Sequence, residues 1–63
     1  MDLESVIVRV RNEFIEMPGL RVSVPDAMRL WGLDRDECQR VIDALVSASF
    51  LQRTRRGEIV RVE

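Results

Sequence analysis

The chain has 63 residues, of which 46% are hydrophobic and 33% are charged, and its formal net charge is −1 at pH 7. A chain of this length is expected to form one domain over residues 1–63, and its balance of apolar and charged residues excludes intrinsic disorder. Its pI of about 5.4 lies well below the value of roughly 9 that marks many nucleic-acid-binding domains. Any surface that attracts a polyanion must therefore be local.

The residue types that carry most enzyme chemistry are scarce. The sequence contains no His, no Tyr and one cysteine, Cys38, and it has neither a nucleophile elbow nor a glycine-rich phosphate loop. We therefore expect that the protein is not an enzyme and holds no metal or cofactor. No apolar run approaches the roughly 18 residues that span a bilayer, and the first residues lack the basic start of a secretory signal. We expect a cytoplasmic protein with no membrane contact and no small-molecule ligand.

Apolar residues recur at spacings of three and four near the start of the chain, which predicts a first helix from about Asp2 to Glu16. Its expected buried face consists of Leu3, Val6, Ile7, Val10, Phe14 and Met17. Pro18 and Gly19 should end this helix, because proline lacks the N–H that helix continuation requires.

Val8 and Ile15 form a second, narrow apolar stripe on the same helix, well away from the expected buried face. Two interpretations are open. Another part of the same chain covers them, as is common in so small a protein. Alternatively, they form a dimer seam, because an apolar stripe on a terminal helix requires a partner to exclude water.

The residues from Leu20 to Ser23 alternate between apolar and polar, which predicts a short strand that pairs with a C-terminal hairpin. A second helix follows, with Ser23 as its N-cap and Asp26 three residues later. Pro25 falls in the first turn, where a missing N–H costs nothing. The expected buried face of this helix consists of Val24, Ala27, Met28 and Trp31.

Gly32 is expected to end the second helix, because glycine tolerates the left-handed conformation of a helix end. Asp34 and Glu37 have the spacing of a capping box for a third helix over residues 34–48. Its expected buried face consists of Cys38, Val41, Ile42 and Leu45. Cys38 is therefore interpreted as a small buried hydrophobe rather than a reactive thiol. The outward face is expected to hold Asp36, Gln39, Arg40, Asp43 and Ser47, with Arg35 near its edge.

Two short strands are expected over residues 50–62, joined by the turn Arg55-Arg56-Gly57. Gly57 can supply the left-handed residue that a three-residue hairpin loop requires. Four arginines against one acidic residue make this the basic end of the chain, whereas residues 1–20 are acidic on balance.

The order helix, short strand, helix, turn, helix, hairpin resembles the winged helix-turn-helix superfamily of DNA-binding domains over nearly the full chain. The residues that carry the resemblance are SVPDAMRLWGLDRDECQRVIDALVSASFLQRTRRGEIVRV, above all the capped third helix that leads through a small-residue corner into Phe50 and Leu51. The chain is also similar to small stand-alone bacterial winged-helix proteins. The resemblance implies an α+β fold, mainly α, with three helices, a short strand after the first helix and a C-terminal β-hairpin wing.

The resemblance also implies a function: sequence-specific binding of double-stranded DNA by a small transcriptional regulator that acts as a homodimer. The third helix would lie in the major groove and the hairpin would be the wing that contacts the backbone. The side chains that would meet base edges are Arg35, Gln39 and Arg40, since Arg can pair with guanine and Gln with adenine. The side chains that would meet phosphates are Arg53, Arg55 and Arg56.

The third helix departs from this pattern, because its cap and body carry four acidic side chains against Arg35 and Arg40, a net charge of −2. A DNA duplex repels such a helix unless other parts of the protein supply positive charge. The alternative function is a protein–protein interaction or oligomerisation module that has a winged-helix body and does not bind DNA.

Overall fold

The computed structural model describes residues 2–62, which form a mainly helical α+β fold of three helices and one three-stranded antiparallel sheet. The elements in chain order are α1 (Leu3–Glu16), β1 (Val22–Ser23), α2 (Val24–Trp31), α3 (Arg35–Ser47), β2 (Leu51–Arg53) and β3 (Glu58–Arg61). The predicted number, type and order of the elements are confirmed, and their boundaries differ from the predictions by one or two residues.

Each helix begins at a side chain that satisfies one of its free backbone N–H groups. Asp2 accepts from the Glu4 N–H in front of α1, and Ser23 accepts from the Asp26 N–H at 3.2 Å in front of α2. Asp34 and Glu37 form a reciprocal capping box in front of α3. The predicted caps at Ser23 and Asp34 are therefore confirmed. They were predictable from the sequence because capping depends on residues only three positions apart.

The sheet has the strand order β1-β3-β2, so the short strand after α1 pairs with the hairpin, as predicted, and its partner there is β3. Val22 lies opposite Ile59, and Leu51 lies opposite Arg61. Leu51 and Ile59 are buried against the helices, whereas Gln52 is exposed on the other face of the sheet. The sheet thus fixes the hairpin beside the helices.

The core lies between the three helices and the inner face of the sheet. Trp31 is only 3% exposed, and its ring meets that of Phe14 edge-on with centroids 6.1 Å apart, so its predicted core role is confirmed. The buried apolar residues are Val6, Val10, Phe14, Val22, Ala27, Trp31, Leu33, Cys38, Val41, Ile42, Leu45, Leu51 and Ile59. The predicted buried face of α3 is complete in this set.

One prediction about α1 is wrong, and the structure bears on one question that the sequence left open. Met17 is 49% exposed rather than buried, because the helix ends at Glu16 and the Met17 backbone (φ −125°, ψ 82°) no longer follows the helical period. Val8 and Ile15 are 51% and 44% exposed, so within residues 2–62 no other segment covers them. The structure therefore does not support the interpretation that another part of the chain covers this stripe, and the dimer seam stays a prediction.

Both α2 and α3 end in a turn that passes through a residue in the left-handed region. After α2 this residue is Gly32, with φ 65°, and the Leu33 N–H reaches back to the Met28 carbonyl at 3.0 Å. After α3 it is Ser49, with φ 60°, and the Phe50 N–H donates to the Leu45 carbonyl at 3.0 Å. These backward hydrogen bonds satisfy carbonyls that would otherwise lack partners at a helix end.

Among the elements of residues 2–62, no helix combines the length and the apolar character that crossing a membrane requires.

Candidate functional site

The N-terminus of α3 accounts for two of its four acidic side chains. The Glu37 N–H donates to Asp34 Oδ1 at 2.8 Å, and the Asp34 N–H donates to Glu37 Oε1 at 3.2 Å. Both carboxylates also lie at the positive end of the helix dipole, where negative charge is stabilised. Asp34 and Glu37 therefore have a structural role at the start of α3, and their charges are compensated locally.

Asp36 and Arg40 form an exposed ion pair one turn apart on the outward face of α3. Their closest N and O atoms are 3.8 Å apart, and the two side chains are 87% and 69% exposed. An ion pair in water contributes only about 0.3–0.5 kcal/mol at this helical spacing. Arg40 can therefore leave Asp36 for another anion at little cost.

The first strand of the hairpin contributes an arginine to the same surface. The Arg53 guanidinium donates to the Asp43 carboxylate and, at 3.4 Å, to the Gln39 amide oxygen. Gln39 and Asp43 are four residues apart and so are neighbours on one side of α3. Arg53 thus joins the hairpin to α3 and compensates the charge of the fourth acidic side chain of α3.

The tip of the hairpin is the turn that was predicted from Gly57. The Gly57 N–H donates to the Thr54 carbonyl at 3.0 Å, and the Thr54 N–H donates to the Glu58 carbonyl at 2.8 Å. Gly57 has φ 79°, the left-handed conformation that closes a three-residue loop without strain. This geometry leaves Arg55 and Arg56 exposed, and neither forms a salt bridge with any other residue between 2 and 62.

We call the surface formed by α3 and the hairpin the arginine face, defined by its exposed arginines Arg35, Arg40, Arg53, Arg55 and Arg56. The structure brings Gln39 and Arg53 into contact although they were predicted to serve different roles. It places Arg55 and Arg56 together at the hairpin tip. Arg35 is exposed in the first turn of α3 and has no salt bridge within the described part of the chain.

Asp43 is the residue of this surface whose role sequence reasoning missed. It was placed on the outward face of α3 only as an unfavourable charge. The structure shows that it binds Arg53, ten positions later. The only sequence signal was that a basic hairpin follows α3 directly, which does not identify the acidic side chain that an arginine will meet.

The remaining reactive group of the chain lies in the core. Cys38 is fully buried, and desolvation raises the pKa of its thiol above the ordinary value of 9.0. A thiol held in its neutral form is a poor nucleophile and a poor metal ligand. Among residues 2–62, no group of three His, Cys, Asp or Glu side chains is arranged to hold a metal ion.

An open concave region lies on the outer face of the sheet rather than on the arginine face. It is an open groove of about 570 Å³ between the α1–β1 loop and the hairpin. Leu20, Gln52, Val60 and Val62 form part of its lining, and none of its lining residues belongs to α3. The groove therefore adds no side chain to the candidate site.

The outward side of α1 is the second surface of interest, and we call it the α1 outer face. It is defined by the exposed Val8 and Ile15, which lie two helical turns apart, with Glu4, Arg11 and Asn12 on either side. On the flank of the helix, Arg9 Nη2 donates to the Trp31 carbonyl at 2.8 Å. This bond ties α1 to the C-terminal end of α2 and leaves the α1 outer face free.

Comparisons of the chain with protein-family models, with curated proteins and with solved structures returned no match. The functional interpretation therefore depends on the geometry and chemistry of these two surfaces.

Proposed function

We propose that the protein is a winged helix-turn-helix DNA-binding protein, a small cytoplasmic transcriptional regulator that binds double-stranded DNA in a sequence-specific manner and has no catalytic activity. In this proposal α3 lies in the major groove and the β2–β3 hairpin is the wing that contacts the sugar-phosphate backbone. The element order α1-β1-α2-α3-β2-β3 and the sheet order β1-β3-β2 support it. A hairpin that follows the second helix of a helix pair is placed to contact the same duplex.

The observation that carries the proposal is the state of the charges on the arginine face. Two acidic side chains of α3 are used in its capping box, one pairs with Arg40, and one pairs with Arg53. Arg55 and Arg56 remain exposed at the tip of the hairpin without an intramolecular anion between residues 2 and 62. Although α3 is acidic by itself, this surface therefore offers unpaired positive charge to an external polyanion.

The proposed roles divide along the surface. Arg55 and Arg56 contact phosphates, where reach and charge suffice and no base is read. Arg35, Gln39 and Arg40 approach base edges, where an arginine can bind guanine O6 and N7 together. The weak pair with Asp36 does not prevent Arg40 from doing so, because exposed ion pairs exchange at little cost.

The proposed assembly is a homodimer formed through the α1 outer face. Val8 and Ile15 present apolar surface that a second copy of the same helix would remove from water. A two-fold dimer would set its two α3 helices about 34–36 Å apart, so its target should be a pseudo-palindrome with half-sites one helical turn apart.

The test is fluorescence anisotropy of the purified protein with labelled mixed-sequence duplex DNA at about 50 mM and about 200 mM salt. Each phosphate contact should lower the affinity about 3.5-fold between these conditions, so four contacts would lower it by about two orders of magnitude. The expected result is binding at low salt that collapses at high salt. No binding at about 50 mM would contradict the proposed function.

The second candidate is a protein–protein interaction or oligomerisation module without DNA binding. The observation that favours it is the pair of exposed apolar side chains on α1, Val8 and Ile15, which have no use in contacting DNA. This candidate predicts self-association together with no duplex affinity at about 50 mM salt. Because both candidates predict self-association, the anisotropy measurement at about 50 mM salt separates them, and sedimentation of the same sample tests the self-association.

A further inference from the structure

Arg53 differs from Arg55 and Arg56 at the hairpin tip because its guanidinium is already bound. One nitrogen, Nη2, donates to both Asp43 Oδ1 and Gln39 Oε1. The Arg53 side chain is 42% exposed, the lowest exposure among the arginines that form ion pairs in residues 2–62. A phosphate contact would require Arg53 to leave two partners, whereas Arg55 and Arg56 have none to leave.

The contact with Arg53 also orients the Gln39 amide. Its oxygen accepts from Arg53 and is therefore turned toward β2. The oxygen and nitrogen of an amide point in different directions, so with Oε1 on Arg53 the NH₂ group is directed away from the guanidinium. Asp43 stabilises the arrangement because its charge keeps the guanidinium at this position, one helical turn from Gln39.

We propose that Arg53 and Asp43 are positioning residues that present the NH₂ group of Gln39 to the major groove, so that Gln39 reads guanine rather than adenine. This inference rests on the proposed DNA binding, and it assigns the base, guanine, at one position of the DNA target. It also replaces the phosphate role that the sequence suggested for Arg53.

The choice of guanine follows from the hydrogen-bonding groups in the major groove. Guanine presents two acceptors, O6 and N7, which the two N–H groups of an amide nitrogen can meet. Adenine presents the acceptor N7 beside the donor N6, and bidentate binding to it requires the amide oxygen as well. With Gln39 Oε1 held by Arg53, adenine loses one of its two bonds and cytosine offers only a donor.

The experiment is selection of binding sites from randomised duplexes at about 50 mM salt, with wild type, Q39A, D43N and D36N. The position that Gln39 reads is the one where Q39A loses the base preference. D43N removes the anion that holds Arg53 without changing the shape of the side chain, and Asp43 is 63% exposed, so folding should be unaffected. D36N is the matched control, because it removes the same charge from α3 two helical turns earlier, at an acid that pairs with Arg40.

We expect the wild type to prefer guanine over adenine at this position by about tenfold, within the discrimination that one bidentate contact supports. D43N should lose that preference while binding mixed-sequence duplex at least as tightly as the wild type, because it carries one negative charge fewer. D36N should also bind mixed-sequence duplex at least as tightly and should keep the preference for guanine.

Two results would overturn the inference while leaving DNA binding intact. One is a wild-type preference for adenine at the position that Q39A identifies. The other is a D43N variant that binds every duplex more tightly with the guanine preference unchanged, which would show that Arg53 is released to a phosphate. Absence of duplex binding by the wild type would overturn the proposed function itself, and this inference with it.

Discussion

The arginine face and the α1 outer face lie on the same small molecule, but their exposed side chains differ in whether they have partners within the chain. On the arginine face, Asp36 pairs with Arg40 and Asp43 pairs with Arg53, all in contact with water. On the α1 outer face, Val8 and Ile15 have no partner between residues 2 and 62 that removes them from water. Exposed ion pairs can exchange for a ligand at little cost, whereas exposed apolar groups gain only from a partner that excludes water.

This difference predicts opposite responses to salt. Binding of a polyanion by the arginine face should weaken steeply as salt rises, because counterions compete for the phosphates. Association through the α1 outer face should be insensitive to chloride salts and should strengthen in sulfate, which favours apolar burial. Measuring both processes in the same salt series therefore tests whether the two surfaces are independent.

The largest effect is expected from removing both arginines of the hairpin tip. The double variant R55A/R56A should lower the slope of log affinity against log salt by about 1.8, because each lost phosphate contact contributes about 0.9. The reason is that neither side chain has an intramolecular anion among residues 2–62 to exchange for the phosphate. Anisotropy titrations at four salt concentrations measure this slope.

The matched control is R11A/R29A, which removes the same charge from the exposed surfaces of α1 and α2. It should leave the slope nearly unchanged. If both double variants lowered the slope equally, the effect would come from net charge alone, and the hairpin tip would not be a contact site.

The next effect concerns the α1 outer face. The variant I15E should weaken self-association about a hundredfold, because a charge without a partner in a buried contact costs about 3 kcal/mol. The melting temperature of the monomer should not change, since Ile15 is already 44% exposed. Analytical ultracentrifugation over a concentration series measures the dissociation constant.

The control for this variant is L30E, which makes the same kind of change at a 53% exposed apolar residue of α2. It should not alter association. A wild-type protein that remains monomeric at millimolar concentration would exclude the α1 seam, and the proposed spacing of two half-sites would then lose its basis.

How much of the molecule the sequence could predict depended on how local each feature is. The caps at Ser23 and Asp34 and the turn at Gly57 were predictable because each depends on residues within four positions. The buried face of α3 was predictable from its period. Met17 was not, because its period continues that of α1 although the helix stops one residue earlier.

The candidate site was less predictable than the fold. Its arginines could be named from the charge asymmetry of the chain. Which of them are bound to other side chains could not be predicted. The bonds from Arg53 to Gln39 and Asp43 depend on how the hairpin packs back onto α3, which involves pairs 14 and 10 residues apart. Hydrophobic periodicity and capping rules describe residues within one helix or strand, and they do not predict contacts between two such elements.

The small-residue corner between α3 and β2 was predicted, but its left-handed residue was not. Its left-handed residue is Ser49, with φ 60°, at a position that glycine occupies in most such helix ends. The sequence Ser47-Ala48-Ser49 contains no glycine to mark it. The turn after α2 uses Gly32 in nearly the same conformation and was recognisable for that reason.

These two positions give the smallest predicted effect, a stability change that leaves every charge of the arginine face in place. The variant S49G should raise the free energy of unfolding by up to about 1 kcal/mol, because serine pays a steric cost in the left-handed region that glycine avoids. Part of this gain is offset by the greater freedom of glycine in the unfolded chain. Urea denaturation followed by circular dichroism measures the difference.

The reciprocal variant, G32A, should lower the free energy of unfolding by about 1 kcal/mol. An added Cβ at Gly32 meets no other atom within 4 Å, so the cost comes from the backbone conformation alone. S49G should keep the wild-type slope of log DNA affinity against log salt, since the corner contributes no charge and only connects α3 to the hairpin. If S49G were less stable than the wild type by more than the roughly 0.4–1 kcal/mol that the freedom of glycine in the unfolded chain explains, the proposed steric cost at Ser49 would be contradicted.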